Sequence, residues 1–355
     1  MSSVVIGAGQ AGLSAAHHLA RLGLHGGRDF VVLDANDRPG GAWQHRWDSL
    51  SMADVHGIAA LPGLAVPTAD PAEAANQVLP HYFEAYERFF HLPVVRPVQV
   101  LGVDDFDGVL LRVRTSGRSW STRSVINATG TWERPFVPYY PGAGTFGGTQ
   151  LHTHDYAGAG RFAGQHVIVV GGGASAVQLL AEISEVATTT WVTRRPPVWR
   201  STPFTASAGR AAVALVEERV RLGLPPASVV SVTGLALREQ EQDAWRRGVY
   251  RREPMFERLT EKGVSWGDGR RIGADAIVWA TGFRPDVAHL GSLVLRSAAG
   301  GIQLDGTAAV RDRRVQLVGY GPSASTIGAN RAGRAAARNT MALAAEARTA
   351  VDGAA

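Results

Sequence analysis

Residues 146–156 read FGGTQLHTHDY and crowd His152, His154 and Asp155 into four positions. Imidazole and carboxylate side chains are common transition-metal ligands, so this stretch alone suggests part of a metal site. A closed site wants about four ligands backed by oriented partners, and HxH offers two. The chain has no cysteine, which removes thiolate ligands, disulfides, Cys nucleophiles and a CxxC redox relay at once. No metal is expected. The other residues spaced for chemistry are glycines. Gly7, Gly9 and Gly12 stand at GxGxxG spacing, and Gly171, Gly173 and Ala176 repeat it with alanine in third place. That pattern cradles a pyrophosphate: the first glycine turns the chain tightly, the second lets the backbone approach the phosphates, and the third position must be small.

The flanking elements decide whether the glycines are meaningful. Val4, Val5 and Ile6 form a short β-branched run before the first pattern, and residues 13–22 have helical composition after it. A helix starting there would point its free N–H groups and positive dipole end at the phosphates. A second strand, residues 30–33, ends in Asp34, 22 residues past Gly12. An acid at that place suits the two hydroxyls of an adenosine ribose and repels a 2′-phosphate. The second unit runs in the same order, with a strand at 166–170, a helix at 177–183 and a strand at 189–193. It ends in Arg194 and Arg195, whose planar forks can grip a ribose 2′-phosphate. Opposite charges at the two strand ends imply two different dinucleotides, FAD in the first unit and NADPH in the second, with NADH expected to serve less well.

Composition bounds the remaining choices. The chain has 355 residues, enough for two domains, and is 45% hydrophobic and 19% charged, an ordinary globular balance. Its net charge is +5, carried almost wholly by arginine, since Lys262 is the only lysine. No block of like charges appears, so nucleic acid is not expected as a partner. No apolar run reaches the roughly 18 residues of a membrane span, and residues 1–3 lead straight into a strand where a signal peptide would need a basic, then apolar, lead. A cytoplasmic protein with a small-molecule substrate is expected.

Further motifs give the two units a family. Arg38-Pro39-Gly40-Gly41-Ala42-Trp43 follows the first unit, and Ala128-Thr129-Gly130 and Ala280-Thr281-Gly282 each close a β-branched run. Phe146-x-Gly148-x3-His152-x3-Tyr156 stands just before the second glycine pattern. Together these resemble the flavin-containing monooxygenases and Baeyer–Villiger monooxygenases, the class B flavoprotein monooxygenases. The likeness covers nearly the whole chain and is closest to the short bacterial flavin-containing monooxygenases. The absence of cysteine separates the chain from the disulfide reductases of the same fold.

The resemblance implies an α/β fold with two Rossmann-like dinucleotide-binding domains in three layers. The FAD domain would be discontinuous, 1–145 plus 284–355, and the NADPH domain would fill 146–283 with a mobile excursion at about 200–263. It implies FAD contacts at Gly7, Gly9, Gln10, Ala11, Gly12, Asp34, Gly41, Ala42, Trp43, Val100, Ala128, Thr129 and Gly130, and at Ser325, Thr326 and Ile327, where a long helix starts. NADPH contacts would be Gly171, Gly173, Ala174, Ser175, Ala176, Arg194, Arg195 and Thr281. The motif around His152 would serve as the junction of the two domains. The family often carries an asparagine near the flavin in the stretch after GGxW; here residues 49–56 hold none, and Asp54 is the catalytic candidate. The implied reaction uses NADPH, O2 and a C4a-(hydro)peroxyflavin to oxygenate a sulfide or amine. Tyr156 stands where Baeyer–Villiger enzymes have tryptophan, which weighs against ketone oxygenation. That reaction, a non-oxygenating FAD/NADPH oxidoreductase and a non-catalytic sensor are the alternatives. The resemblance leaves monomer and homodimer open.

Overall fold

A computed structural model describes residues 1–55, 58–200, 206–226, 234–235 and 237–352. In chain order the main elements are β1 (Ser3–Ile6), α1 (Gln10–Arg21), β2 (Phe30–Leu33), α2 (Ala75–Phe89), β3 (Val94–Val95), β4 (Val100–Asp105), β5 (Leu111–Thr115), β6 (Ser119–Thr122) and β7 (Ser124–Asn127). Then come β8 (Thr149–His152), β9 (His166–Val170), α3 (Ala174–Ile183), β10 (Thr188–Thr193), α4 (Ala206–Arg221), α5 (Glu239–Arg246), β11 (Arg252–Pro254), β12 (Arg258–Thr260), β13 (Gly263–Ser265), β14 (Arg271–Gly273) and β15 (Ala276–Trp279). The chain closes with β16 (Leu304–Asp305), β17 (Ala308–Ala309), β18 (Asp312–Leu317) and α6 (Thr326–Asp352).

Two sheets carry the molecule. The first, in the order β16-β17-β18-β7-β1-β2-β3, takes strands from both ends of the chain. The second, β11-β10-β9-β15-β8, is wholly parallel and drawn from the middle. Their centres read as unbroken apolar runs because both faces are covered. Val5 and Val32 pack under α1, α2 and α6, while Val4 and Ile6 pack against Val103 and Val113 of the antiparallel β4-β5-β6 ribbon. In the second unit Val167 and Val169 pack under α3 and α5, and Ile168 and Val170 face the β12-β13-β14 ribbon. Each unit is therefore helix, sheet and ribbon in three layers.

The units share one design. A strand, a glycine turn, a helix and a neighbouring parallel strand recur as β1-α1-β2 and β9-α3-β10, and β7 and β15 occupy equivalent places beside the first strand. The chain passes between units twice. The two crossings lie antiparallel: Phe136 N–H donates to Gly282 O at 2.9 Å, Arg284 N–H to Arg134 O at 2.8 Å, and Asp286 N–H to Gly130 O at 3.0 Å.

The stretch expected as a mobile excursion, about 200–263, is in its later part built into the second unit. β11 extends the sheet beside β10, and Ala244 and Tyr250 are buried against α3 and β10. The aromatic residues of this stretch explain it: Trp199, Trp245 and Tyr250 form a cluster on Trp191, which outweighs the charges between them. Pro203 in this stretch, and His56 at the end of the 49–56 stretch, lie outside the described residues.

Candidate functional site

Both glycine turns show why their residue types are fixed. Gly7 has φ +100° and faces the carbonyl of Ala128 so closely that a Cβ would sit 2.7 Å from that oxygen. Gly171, at φ +150°, meets the carbonyl of Ala280 in the same way, at 2.2 Å. Each first glycine is thus held against the Ala-Thr-Gly turn of its own unit. A Cβ on Gly12 would fall 1.8 Å from the carbonyl oxygen of Gly7, so only glycine lets α1 approach β1. Ala176 is fully buried at the corresponding place in α3.

The second glycines behave differently. Around Gly9 a Cβ would meet only Gly41 Cα at 4.0 Å, and around Gly173 it would meet nothing within 4 Å. Each caps its helix without a side-chain hydrogen bond, which leaves the first-turn N–H groups free for an anion. These are the open concavities a pyrophosphate needs. Gly130 and Gly282, both at positive φ, also have open space where a side chain would be. The chain therefore fits two dinucleotides on its own geometry.

The charges at the strand ends are distributed less simply. Asp34 is buried, accepting from Asn36 Nδ2 at 3.1 Å and from Arg96 Nη2 at 3.1 Å. Arg96 also makes a double contact to Glu87, at 2.6 and 2.8 Å, so the three groups carry one net negative charge. Asp34 acts within a triad, and Arg96 and Glu87 were not visible as site residues from spacing. The backbone N–H of Val98 donates to Asp34 O at 2.7 Å and draws the Val98–Val100 stretch to the strand end. Arg194 and Arg195 are exposed at the end of β10. Among the described residues neither has an acidic partner.

At the other end of the first cradle, Gln10 donates to Ala59 O at 3.0 Å and to Asn330 Oδ1 at 2.9 Å, while its Oε1 is buried without a partner. Asn330 Nδ2 donates to Ala60 O at 2.7 Å, and Thr326 Oγ1 accepts from Ala59 N–H at 3.1 Å. These contacts bind the start of α6 to α1 and the 59–60 loop. Ile327 nevertheless stays 66% exposed, a large apolar surface at the helix start. Asn330 was missed by sequence reading; a polar residue one turn into an Ala-rich helix was its only signal. Gly41, at φ +51°, lies over Gly9, and Trp43 is half-buried between the two units' cores.

The His152 stretch is a staple. His152 Nδ1 accepts the backbone N–H of His154 at 3.0 Å, so Nε2 carries the proton and donates to Gly282 O at 2.9 Å. Both ring nitrogens are thereby committed to the backbone, and burial lowers the imidazole pKa. Thr129 Oγ1 donates to Asp286 O, and Thr281 Oγ1 to Phe136 O, so each Ala-Thr-Gly threonine hydroxyl grips the opposite crossing. An aromatic group closes the junction: Trp132 lies 4.9 Å from His154 and 5.1 Å from Phe283, ring centre to ring centre. Tyr156 is buried edge-on to Trp47.

Asp54 sits at the border of the units. Its carboxylate accepts from Ser51 Oγ at 2.7 Å and pairs with Arg238 at 3.5 Å, and its carbonyl accepts from Gln178 of α3 at 3.4 Å. Ser49 Oγ donates to Glu182 of the same helix at 2.7 Å. The loop after GGAW thus fastens the first unit to the second.

The family described as pyridine nucleotide-disulphide oxidoreductase matches residues 4–208. A flavin-containing monooxygenase from Stenotrophomonas maltophilia is 38% identical, covers 96% of this chain and 98% of its own, and superposes with a TM-score of 0.80. The chain belongs to the flavin monooxygenase family. The rice (Oryza sativa subsp. japonica) indole-3-pyruvate monooxygenase YUCCA1 is 28% identical over 320 residues, 80% of this chain and 77% of that protein. Cyclohexanone monooxygenase, at 18% identity and a TM-score of 0.66, shares the fold. The chain is a flavin-dependent monooxygenase.

Proposed function

We propose that this monooxygenase transfers one oxygen atom from O2 to a soft nucleophile, a sulfide or amine, at the junction of its two units. The reading is supported most by the paired open cradles at Gly9 and Gly173, which differ in the charges at their strand ends. Residues 1–145 with 284–355 are proposed to hold FAD, and 146–283 NADPH. Gly9 and the first turn of α1 would bind the FAD pyrophosphate, Asp34 the ribose, and Gln10 and Thr326 the flavin end. Gly173 and Ser175 would bind the NADPH pyrophosphate, and Arg194 and Arg195 its 2′-phosphate. Bound there, the flavin supplies hydride acceptance from NADPH and activation of O2.

The protein's part is orientation and exclusion of water. The His152–Gly282 and Thr281–Phe136 contacts fix the second Ala-Thr-Gly turn against the first unit, which sets the distance between the two cradles. Asp54 is proposed to act through Arg238 and Gln178 as a positioning residue at the border. Tyr156, in place of tryptophan, weighs toward sulfide and amine over ketone.

The test is turnover of methyl phenyl sulfide under isotopically labelled O2. One labelled atom in the sulfoxide per NADPH consumed is expected. Stoichiometric H2O2 with untouched sulfide and amine would falsify the oxygen-transfer reading. In the same assay D54N should slow flavin reduction by NADPH severalfold while the fraction of NADPH coupled to product holds; lost coupling at a normal reduction rate would place Asp54 at the flavin instead.

A further inference from the structure

Arg46 follows the GGAW turn and is the deeply placed guanidinium that the reaction as described leaves unused. Its Nε is buried with no hydrogen-bond partner. Among the described residues its side chain donates no hydrogen bond, and no carboxylate stands within 4 Å. Three other half-buried arginines are held by acids: Arg96 by Asp34 and Glu87, Arg238 by Asp54 and Glu241, and Arg314 by Asp105 and Asp312. Burial lowers its pKa to about 10, so at neutral pH it stays a cation.

Its surroundings show where the charge points. The guanidinium carbon lies 4.5 Å from the ring centre of Trp132 and 5.7 Å from that of Trp43. Trp132 follows the first Ala-Thr-Gly turn and touches both His154 and Phe283 of the second unit. Arg46 therefore stands at the meeting of the units, where the reacting rings must come together. Its main chain is fixed, with Asn76 Nδ2 donating to Arg46 O at 2.8 Å and Arg46 N–H to Trp43 O at 3.1 Å. Part of the residue stays open to solvent.

A sheltered cation without an acid is costly, and tryptophan faces compensate it only in part. The planar fork is shaped for two oxygens of one anion. The dinucleotide phosphates have the uncapped helix starts at Gly9 and Gly173 to receive them. We propose that Arg46 receives a carboxylate of the substrate, so that the enzyme selects anionic, aromatic soft nucleophiles. This rests on the oxygen-transfer reading above.

The experiment compares 4-(methylthio)benzoate with methyl phenyl sulfide in the wild-type holoenzyme, R46M and R46K. The expected result is an about 10- to 100-fold larger kcat/KM for the anionic sulfide in the wild type, from roughly one to two charge-assisted hydrogen bonds. R46M should lose that preference. R46K should keep part of it, which preserves the test should R46M fail to fold. Benzoate, which is not oxygenated, should raise the Tm of the wild type and not that of R46M. Equal kcat/KM for the two sulfides in all three proteins, or a defect confined to the KM for NADPH, overturns the proposal. Failure of the wild type to oxygenate either sulfide strikes the oxygen-transfer reading, and the benzoate shift still reports on Arg46.

Discussion

At the scale of single residues, charge and backbone room divide the work of the two cradles. Arg194 and Arg195 stand exposed at the end of β10, with no acidic partner among the described residues. Two charge-assisted hydrogen bonds to a 2′-phosphate are worth about 1.5–3 kcal/mol each, less where water screens them. R194Q/R195Q should therefore raise KM for NADPH by about 10- to 100-fold and leave KM for NADH within about twofold, by steady-state kinetics. Equal effects on both nucleotides would remove these arginines from phosphate recognition. Asp34 shows the limit of a one-residue argument. Spacing marked it as a ribose acid, but its charge is shared through Arg96 with Glu87, 62 and 53 positions further along the chain.

At the scale of elements, the strand–turn–helix unit makes two glycines of one motif do opposite jobs. Gly12 is held by packing, because a Cβ there would collide with the Gly7 carbonyl. Gly9 has open space around it, which the proposed pyrophosphate would use. G12A should cost about 2–4 kcal/mol of folding stability, seen as a large fall in Tm of the apoprotein. G9A should change apoprotein stability by less than about 1 kcal/mol and raise the Kd for FAD on the order of tenfold, measured by flavin fluorescence on reconstitution. The reverse pattern would mean that α1 does not receive the pyrophosphate. His152 belongs to this scale too: its ring ties the end of β8 to the turn after β15, which the HxH spacing alone could not reveal.

Across the whole molecule, six imidazoles, His17, His18, His45, His152, His166 and His289, are held below their ordinary pKa of 6.5, burial being the first cause in each. His18 falls furthest, to about 4, with His17, Arg334, Arg21 and Arg338 adding to burial. The unfolded chain takes up protons near 6.5 that the folded chain refuses, so stability rises with pH across that range. The histidine contribution is complete above about pH 6.5 and is lost progressively as pH falls from there toward the folded values. Urea midpoints measured from pH 8 to pH 5 should decline below about 6.5. A midpoint flat down to pH 5 would contradict these depressed imidazoles.

The sequence by itself determined both strand–turn–helix–strand units, the opposite charges at their strand ends and the family. Each rests on local rules: a tight turn needs glycine, a buried parallel strand needs a continuous apolar run, and a helix start attracts an anion. Only the tertiary structure decided what the chemistry-bearing side chains touch. His152 became a staple, Asp54 a fastening to Arg238 and α3, and the later part of the 200–263 stretch a part of the second unit. Arg46 emerged as a sheltered cation between two tryptophans. The physical reason is distance along the chain: His152–Gly282, Asp54–Arg238 and Arg46–Trp132 join residues tens to hundreds of positions apart, and spacing within a motif carries no information about them.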